Sequence, residues 1–492
     1  MKKKWLSWLL AASMLLVTGC APADTAPSSE PESSEVVEVE SETPSEEETS
    51  SEVEVTEEES AKQVIVYFAN WNLDGKDADK GGEAASIPWE DVTFVNHAFW
   101  EVAPADGTTE TTLEWQAAGN APRTAFMVKS TDPIADYENT EPSVMLEGVA
   151  KNHFAQYEAL SEQYPDVNIV ISIGGWSKCG YFSEMAYTEE GRASFIASCM
   201  ETLEKYPWLD GFDFDWEYFG GSGEGEGRLP ESEDDQGCPI WGTSAEDSEN
   251  FAKLLSDLRE QIEAKYGENG KYLTACASAS TGWTLPCQNW EIVHPYLDYV
   301  NVMTYDMTGT WEGVAGHNSN IKHVEDAIFA LKVGSKIPAE KLCVGSPMYG
   351  MDLKLTAASS TADAATGMAI ESYRPNGGAE ITQEMIGAWA AEAVSGYEIL
   401  LEDGKATLGE SFDNGGTGWH CVYNKFHRSA YLYNDDPDSE YYLWYISYEN
   451  AYTLQDKLDY VLDEDLGGII VWESSQDTYD HQLIGQMEDV LS

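Results

Sequence analysis

The sequence predicts an α/β fold: a (β/α)8 TIM barrel with a small α+β insertion domain between its seventh and eighth strands. Three observations carry that reading. First, eight short runs rich in β-branched and aromatic residues recur along the chain, most followed by polar loop and helical pattern, as alternating β and α units require. They are Val64–Asn70, Thr93–Phe99, Asn168–Ile173, Gly211–Glu217, Tyr272–Ser278, Tyr299–Tyr305, Lys341–Pro347 and Gly468–Trp472. Second, the clearest helix follows the fourth run. Phe251, Leu254, Leu255, Leu258 and Ile262 keep helical spacing behind a capping pair of Ser244 and Asp247. Third, roughly ninety residues separate the seventh and eighth runs, far more than a plain connection needs. They contain a helical pattern (Ile381–Ala393) and aromatic strand-like runs (Tyr431–Asn434, Tyr441–Tyr445). An insertion over about residues 351–445 is therefore expected to wall one side of a cleft. Some fifty loop residues are expected after the second strand.

The segment before the barrel divides in two. Lys2, Lys3 and Lys4 precede an apolar run from Trp5 to Val17, followed by Thr18-Gly19-Cys20. A basic start, a short apolar stretch and a small-residue exit describe a signal peptide over residues 1–19. The Val-Thr-Gly-Cys ending resembles a bacterial lipobox with Cys20 as the lipidated residue; an ordinary signal peptide with an incidental cysteine is the alternative. Residues 21–61 contain fifteen Asp or Glu and no Lys or Arg. Like charges and scarce apolar surface make residues 20–61 an extended acidic stalk, or else an interaction tail. The catalytic barrel is expected over 62–492.

The folded part has 24 Lys and Arg against 73 Asp and Glu, a net charge of −49. That balance opposes binding to nucleic acid, whose phosphates need basic patches, and is compatible with a neutral polysaccharide. Seventeen Trp and twenty-six Tyr supply the flat faces on which sugars stack, although cores use aromatics too. Eight cysteines are present; without Cys20 seven remain, so at least one is unpaired. Cys199, Cys276 and Cys343 sit in apolar stretches and read as buried thiols, leaving room for one or two disulfides. No CxxC pair or HExxH occurs, which argues against structural zinc and zinc proteases. No metal or cofactor is expected, and the enzyme is expected to be a monomer.

The chemistry is concentrated in Asp210-Gly211-Phe212-Asp213-Phe214-Asp215-Trp216-Glu217-Tyr218. Side chains alternate along a strand, so Asp213, Asp215 and Glu217 share one face and Phe212, Phe214 and Trp216 the other. Successive carboxyls on that face lie about 6–7 Å apart. Two like charges about 5 Å apart at an effective dielectric near 20 repel by roughly 3 kcal/mol, or about two pKa units. The row must share protons, and its outermost member, Glu217, is expected to be held protonated by its neighbours. A protonated carboxyl beside an ionised one is what glycosidic cleavage needs. A solvated acidic edge does not fit the interleaved Phe and Trp, and a calcium loop needs a turn glycine and carbonyl ligands instead of a pleated strand.

The octad Asp210-Gly211-x-Asp213-x-Asp215-x-Glu217 matches the DGxDxDxE signature and resembles the family 18 glycoside hydrolases, the chitinases. Further pieces follow in family order over residues 63–475: Ser172-Ile173-Gly174-Gly175-Trp176, Glu246-Asp247 with Asn250-Phe251, Met303-Thr304-Tyr305-Asp306, Gly345-x-Pro347-x-Tyr349-Gly350, and Gly467-Gly468 with Trp472-Glu473. Two positions depart from the family's usual pattern: Met351 stands where Arg commonly follows Tyr-Gly, and Phe219 where Pro often follows Trp-Glu-Tyr.

The resemblance implies an endo-acting chitinase with substrate-assisted retention. Glu217 would protonate the glycosidic oxygen and later act as base toward water, while the substrate's 2-acetamido oxygen attacks the anomeric carbon. Asp215 would stabilise the acetamido nitrogen, Asp213 share its proton, and Tyr305 bond the acetamido oxygen. Trp472 would floor the reacting sugar, which Tyr218, Met303 and Asp306 line. Trp176 resembles the platform on the leaving-group side, and Tyr67 and Trp71 the Tyr-x-x-x-Trp that leaves strand one. Gly174 and Gly175 join the substrate-binding set, and Trp311 is a further aromatic candidate. The implied ligands are chitin or N-acetylglucosamine oligosaccharides, with a membrane tether through Cys20 on the outer face. The rivals are an endo-β-N-acetylglucosaminidase on glycoprotein glycans or peptidoglycan, a non-catalytic lectin on the same barrel, and a lipid-anchored solute-binding protein with two lobes.

Overall fold

Parallel strands whose two faces are both buried build the centre of the molecule. The computed structural model describes residues 61–74, 82–221, 238–308, 312–361, 364–377, 380–393, 412–413 and 418–492. Cys20, the signal and stalk expectations apart from Ala61, and Trp311 lie outside the described residues. Strand β1 (Gln63–Ala69) pairs in parallel with β2 (Phe94–Pro104), and β3 (Phe126–Ser130) runs antiparallel along β2 as a side branch. The ring continues through β4 (Asn168–Gly174), β5 (Gly211–Asp215), β6 (Tyr272–Ser278), β7 (Tyr299–Met303) and β8 (Leu342–Pro347). The chain then leaves it for a six-stranded antiparallel sheet. That sheet comprises β9 (Met351–Leu355), β10 (Ile370–Tyr373), β11 (Phe412–Asp413), β12 (Trp419–Asn424), β13 (Ser429–Asn434) and β14 (Trp444–Tyr448). It returns as β15 (Gly468–Trp472), which pairs with both β8 and β1 and closes an eight-stranded parallel barrel. The predicted fold class is the observed one.

The alternation of β1 shows why these strands form. Val64, Val66 and Phe68 pack outward beneath the helices, whereas Ile65 and Tyr67 pack inward with Phe94, Val170, Cys276 and Ile470. Period-two burial on both faces leaves little room for polar positions, so the strands read as apolar runs. On β5 the outward set is Phe212 and Phe214, continued by Trp216; Phe214 packs on Phe251, and Trp216 on Phe251 and Phe182. Each fully buried aromatic of this kind contributes roughly 1.5–3 kcal/mol, which helps to offset the cost of the carboxyls on the opposite face.

Several boundaries differ from the expectations. The fourth run stops as a strand at Asp215 and the sixth at Met303, so Glu217 and Tyr305 stand in the turns beyond. The helix after β5 spans Ser244–Tyr266, but its N-cap is Thr243, whose hydroxyl accepts from the Glu246 N–H at 3.2 Å. Asp247 is drawn elsewhere: it accepts from Ser183 Oγ at 2.5 Å and the Gly220 N–H at 3.2 Å, tying the helix to the turn after Glu217. The long segment after β2 is no plain loop, because β3 and helix α1 (Thr112–Ala117) organise it. The insertion ends at Tyr448, with its helix over Gln383–Ala393. Alternation works there too. Tyr431, Tyr433 and Tyr445 pack on one face with Ala315 of the segment after β7, and Leu432 and Ile446 pack on the other with Trp389 and Trp419. All seven described cysteines are free thiols, so the room left for disulfides is unused.

Candidate active site

Asp213 and Asp215 point inward from β5, and Glu217 stands two residues beyond, partly exposed at the carboxyl end of the barrel. The innermost carboxyl is held by a complete set of donors. Tyr67 Oη and Ser172 Oγ donate to Asp213 Oδ2 at 2.9 and 2.7 Å. Thr274 Oγ1 and Asn301 Nδ2 donate to Oδ1 at 2.6 and 3.1 Å. Burial still raises the Asp213 pKa, with the bonds from Thr274, Ser172 and Tyr67 opposing it. Asp215 has no such shell, and its buried Oδ1 has no hydrogen-bond partner among the described residues. Its pKa lies well above the ordinary carboxylate range, first through burial, then through Glu217 and Asp213.

Glu217 is pushed up to about 7, chiefly by burial, with a bond from Tyr218 opposing and Asp306 adding to the rise. This corrects the sequence-based expectation: desolvation does more than carboxylate repulsion, and the charge acting on Glu217 is that of Asp306. Asp213 is the fully solvated-by-protein end of the row, and Asp215 with Glu217 is the end that holds a proton. The Glu217 turn is fastened from behind by buried thiols. The Glu217 N–H donates to Cys179 Sγ at 3.1 Å, and Trp216 Nε1 to Cys238 Sγ at 2.7 Å. Phe219 packs into the core against Phe251 and Trp290.

The predicted glycines act on the carboxylates through the backbone. Gly174 has φ +115°, and a Cβ there would stand 2.1 Å from the Asp215 carbonyl oxygen. Gly175 donates its N–H to that same oxygen at 2.8 Å, and a Cβ on it would meet the Phe99 ring at 2.5 Å. Both let β4 approach Asp215, a positioning role exerted through the backbone. Tyr67 is 1% exposed with its hydroxyl turned to Asp213, so its ring offers no open face for a sugar. Its inward parity on β1 decides this.

Indoles do face solvent elsewhere. Trp71 and Trp176 are 49% and 50% exposed, and Trp472 lies partly buried between Phe99, stacked at 5.5 Å and 16°, and Trp71 at 6.3 Å. Trp176 stands edge-on to Tyr218 at 6.5 Å, beside the acid, so the two exposed indoles flank the carboxylate row from different strands. Met303 packs into the barrel interior with Tyr305 and Trp472. Tyr305 is raised well above its ordinary pKa by burial and then by Cys276, Asp215 and Glu217, which places its hydroxyl among them. Asp306, at φ +55°, receives Tyr349 Oη and donates its own N–H to Asn318 Oδ1 at 2.8 Å.

Ser172, Thr274, Cys276 and Asn301 were not assigned roles from the sequence. The signal was barrel layering: Ser172 and Thr274 are register partners of Asp213, and Cys276 of Asn301. Polar residues at inward parity on neighbouring strands are there to satisfy a buried carboxylate, either directly or, as Asn301 also does, through the Tyr67 hydroxyl. One cluster of described residues has metal-ligand spacing, His97, Asp136 and His153 behind β2. Asp136 there already accepts from Asn70, His97, Trp100 and Ser130, at 3.2, 2.8, 2.8 and 2.5 Å, so the group reads as a closed hydrogen-bond network pinning the segment after β3.

The arrangement can protonate a leaving oxygen above a carboxylate and beside an aromatic floor. Comparisons with known proteins identify the family. Residues 63–477 match the model of glycosyl hydrolases family 18. The chain is 26% identical over 443 residues to Chitinase A1 of Niallia circulans, covering 84% of this chain and 56% of that protein. It is 26% identical over 464 residues to Chitinase ChiA of Flavobacterium johnsoniae, covering 85% and 27%. The chain thus spans about half or less of the length of these relatives. A crystal structure of Ostrinia furnacalis Group IV chitinase in complex with allosamidin superposes with a TM-score of 0.65 at 22% identity, covering 87% of this chain and 98% of that one. The carboxylate row, the barrel that orients it and the family match lead to one conclusion: this chain belongs to the glycosyl hydrolases of family 18.

Proposed function

We propose that the protein is an endo-acting chitinase that hydrolyses β-1,4 bonds between N-acetylglucosamine units with retention, Glu217 serving as acid and then base. The observation that carries this reading is a half-buried Glu217 raised to about 7, next to a buried Asp215 with an unbonded oxygen. A neutral acid donates to the leaving oxygen. Asp215 Oδ1 is free to accept from an acetamido N–H, which turns the acetamido oxygen toward the anomeric carbon and makes a second carboxylate nucleophile unnecessary. Tyr305 would bond the acetamido oxygen, and Trp472 would support the sugar ring by stacking. Asp213, whose own pKa burial raises, would share the proton that Asp215 holds.

The test is Glu217→Gln. It should reduce turnover of N-acetylchitooligosaccharides by about 10²–10⁴-fold or more while binding survives; near-normal turnover would sink the assignment. Fully deacetylated oligomers should resist cleavage, since they lack the internal nucleophile. We further read the N-terminal segment as a signal followed by a lipid anchor at Cys20, holding a monomeric enzyme on the outer face of the membrane through the acidic stalk. One acyl-bearing residue with a 41-residue polar stalk suits reversible or tethered surface attachment, not a span.

A further inference from the structure

Where the barrel meets the insertion, Tyr349, Met351, Asp352, Tyr373, Arg374 and Glu380 line one small cavity. Tyr349 connects it to the reaction site, because its hydroxyl donates to the Asp306 carboxylate, and Asp306 is the charge felt at Glu217. Met351, the first residue of β9, is 3% exposed there, and its side chain has no hydrogen to donate. The insertion contributes a guanidinium. Arg374 follows β10 with φ +49°, an uncommon backbone conformation for a residue with a Cβ. Neighbouring bonds hold it there: its N–H donates to the Asp352 carbonyl at 2.9 Å, and the Asn376 N–H to Asp352 Oδ2 at 3.0 Å. The guanidinium lies 5.3 Å from the Tyr373 ring, and its charge acts on Glu380 and Asp306.

Asp306 and Glu380, the carboxylates whose charges act on Arg374, make the surroundings rich in acceptors. A sugar presents as many acceptor oxygens as hydroxyl donors, so a wall of carboxylates satisfies only half of it. Arg supplies a rigid planar fork of donors for the other half. Glu380 receives Gln476 Nε2, and Gln476 caps the Glu473 turn directly after Trp472, so the acid beside Arg374 is bonded to the turn that follows Trp472.

We propose that Arg374 is a substrate-binding residue whose guanidinium, carried in by the insertion, donates hydrogen bonds to hydroxyl or acetamido oxygens of N-acetylated sugars in the cleft beside Asp306. This rests on the chitinase reading. The test is calorimetric titration of penta-N-acetylchitopentaose into Glu217→Gln enzyme, alone and combined with Arg374→Gln or Arg374→Lys; neither second change alters the demand at φ +49°. Arg374→Gln should weaken binding about tenfold or more, and Lys, which keeps a charged donor, should recover part of the loss. Unchanged unfolding temperatures separate this from disruption of the insertion. Affinity within twofold of the single variant overturns the proposal. Wild-type enzyme that releases no products from the same oligosaccharide overturns the chitinase reading itself, and the two failures are distinct.

Discussion

The carboxyls of the row differ in what surrounds them more than in chemistry. Asp213 receives four short hydrogen bonds, Asp215 is buried with one oxygen unbonded, and Glu217 opens to the cleft under the influence of Asp306. On the proposed mechanism Glu217 acts protonated, and its pKa is raised to about 7, so kcat/KM should be sustained below that pH and fall as pH rises through it. Since ionised Asp306 raises the Glu217 pKa, Asp306→Asn should move this basic limb to lower pH; a limb that stays in place would deny the coupling. Thr274→Val preserves shape but removes the 2.6 Å donor to Asp213. It should cost about 1–3 kcal/mol in urea unfolding, because a buried carboxyl oxygen loses a partner.

At the scale of elements, β4 and β5 come close enough that Gly174 cannot be replaced. Gly174→Ala drives a Cβ to 2.1 Å from a backbone oxygen in a conformation already unfavourable for L-residues, so strand β5 must shift. A loss of about 3 kcal/mol or more is expected, together with most of the turnover, since Asp215 moves with its carbonyl. Gly107→Ala is the comparison: φ is +76° but nothing lies within 4 Å, so only about 1–2 kcal/mol of backbone strain should appear and kinetics should be unchanged. Thermal unfolding and steady-state rates on the two variants separate close approach from conformational preference.

The molecule as a whole is joined across its insertion by a buried ion pair. Lys457 Nζ contacts Glu449 Oε1 at 2.9 Å, Ser319 Oγ at 2.7 Å and the Gly345 carbonyl at 3.3 Å, so one cation binds the end of the insertion, the segment after β7 and strand β8. Both charged side chains are 2% exposed. Lys457→Met should destabilise by about 3–5 kcal/mol, because Glu449 is left buried without its partner. At the other end of the chain, Cys20→Ser should release the enzyme from membranes into the medium, and a chain beginning at Ser60 should keep wild-type turnover; retention of the variant on membranes would end the lipid-anchor reading.

Much of this was legible without coordinates, for a physical reason. Strand parity and apolar runs are local, so the barrel, the inward Asp213-Asp215-Glu217 row and the outward Phe212, Phe214 and Trp216 follow from spacing alone. Burial and partnership are not local. That Tyr67 serves Asp213, that Gly174 and Gly175 serve Asp215 through the backbone, and that desolvation dominates Glu217 depend on which strands become neighbours and in what register. Arg374 lies 157 positions beyond Glu217 in a different sheet, and no periodicity connects them. The chain by itself determined which residues could carry the chemistry; only closure of the barrel, with the insertion folded against it, decided which oxygen is solvated, which is bare and which cation stands beside them.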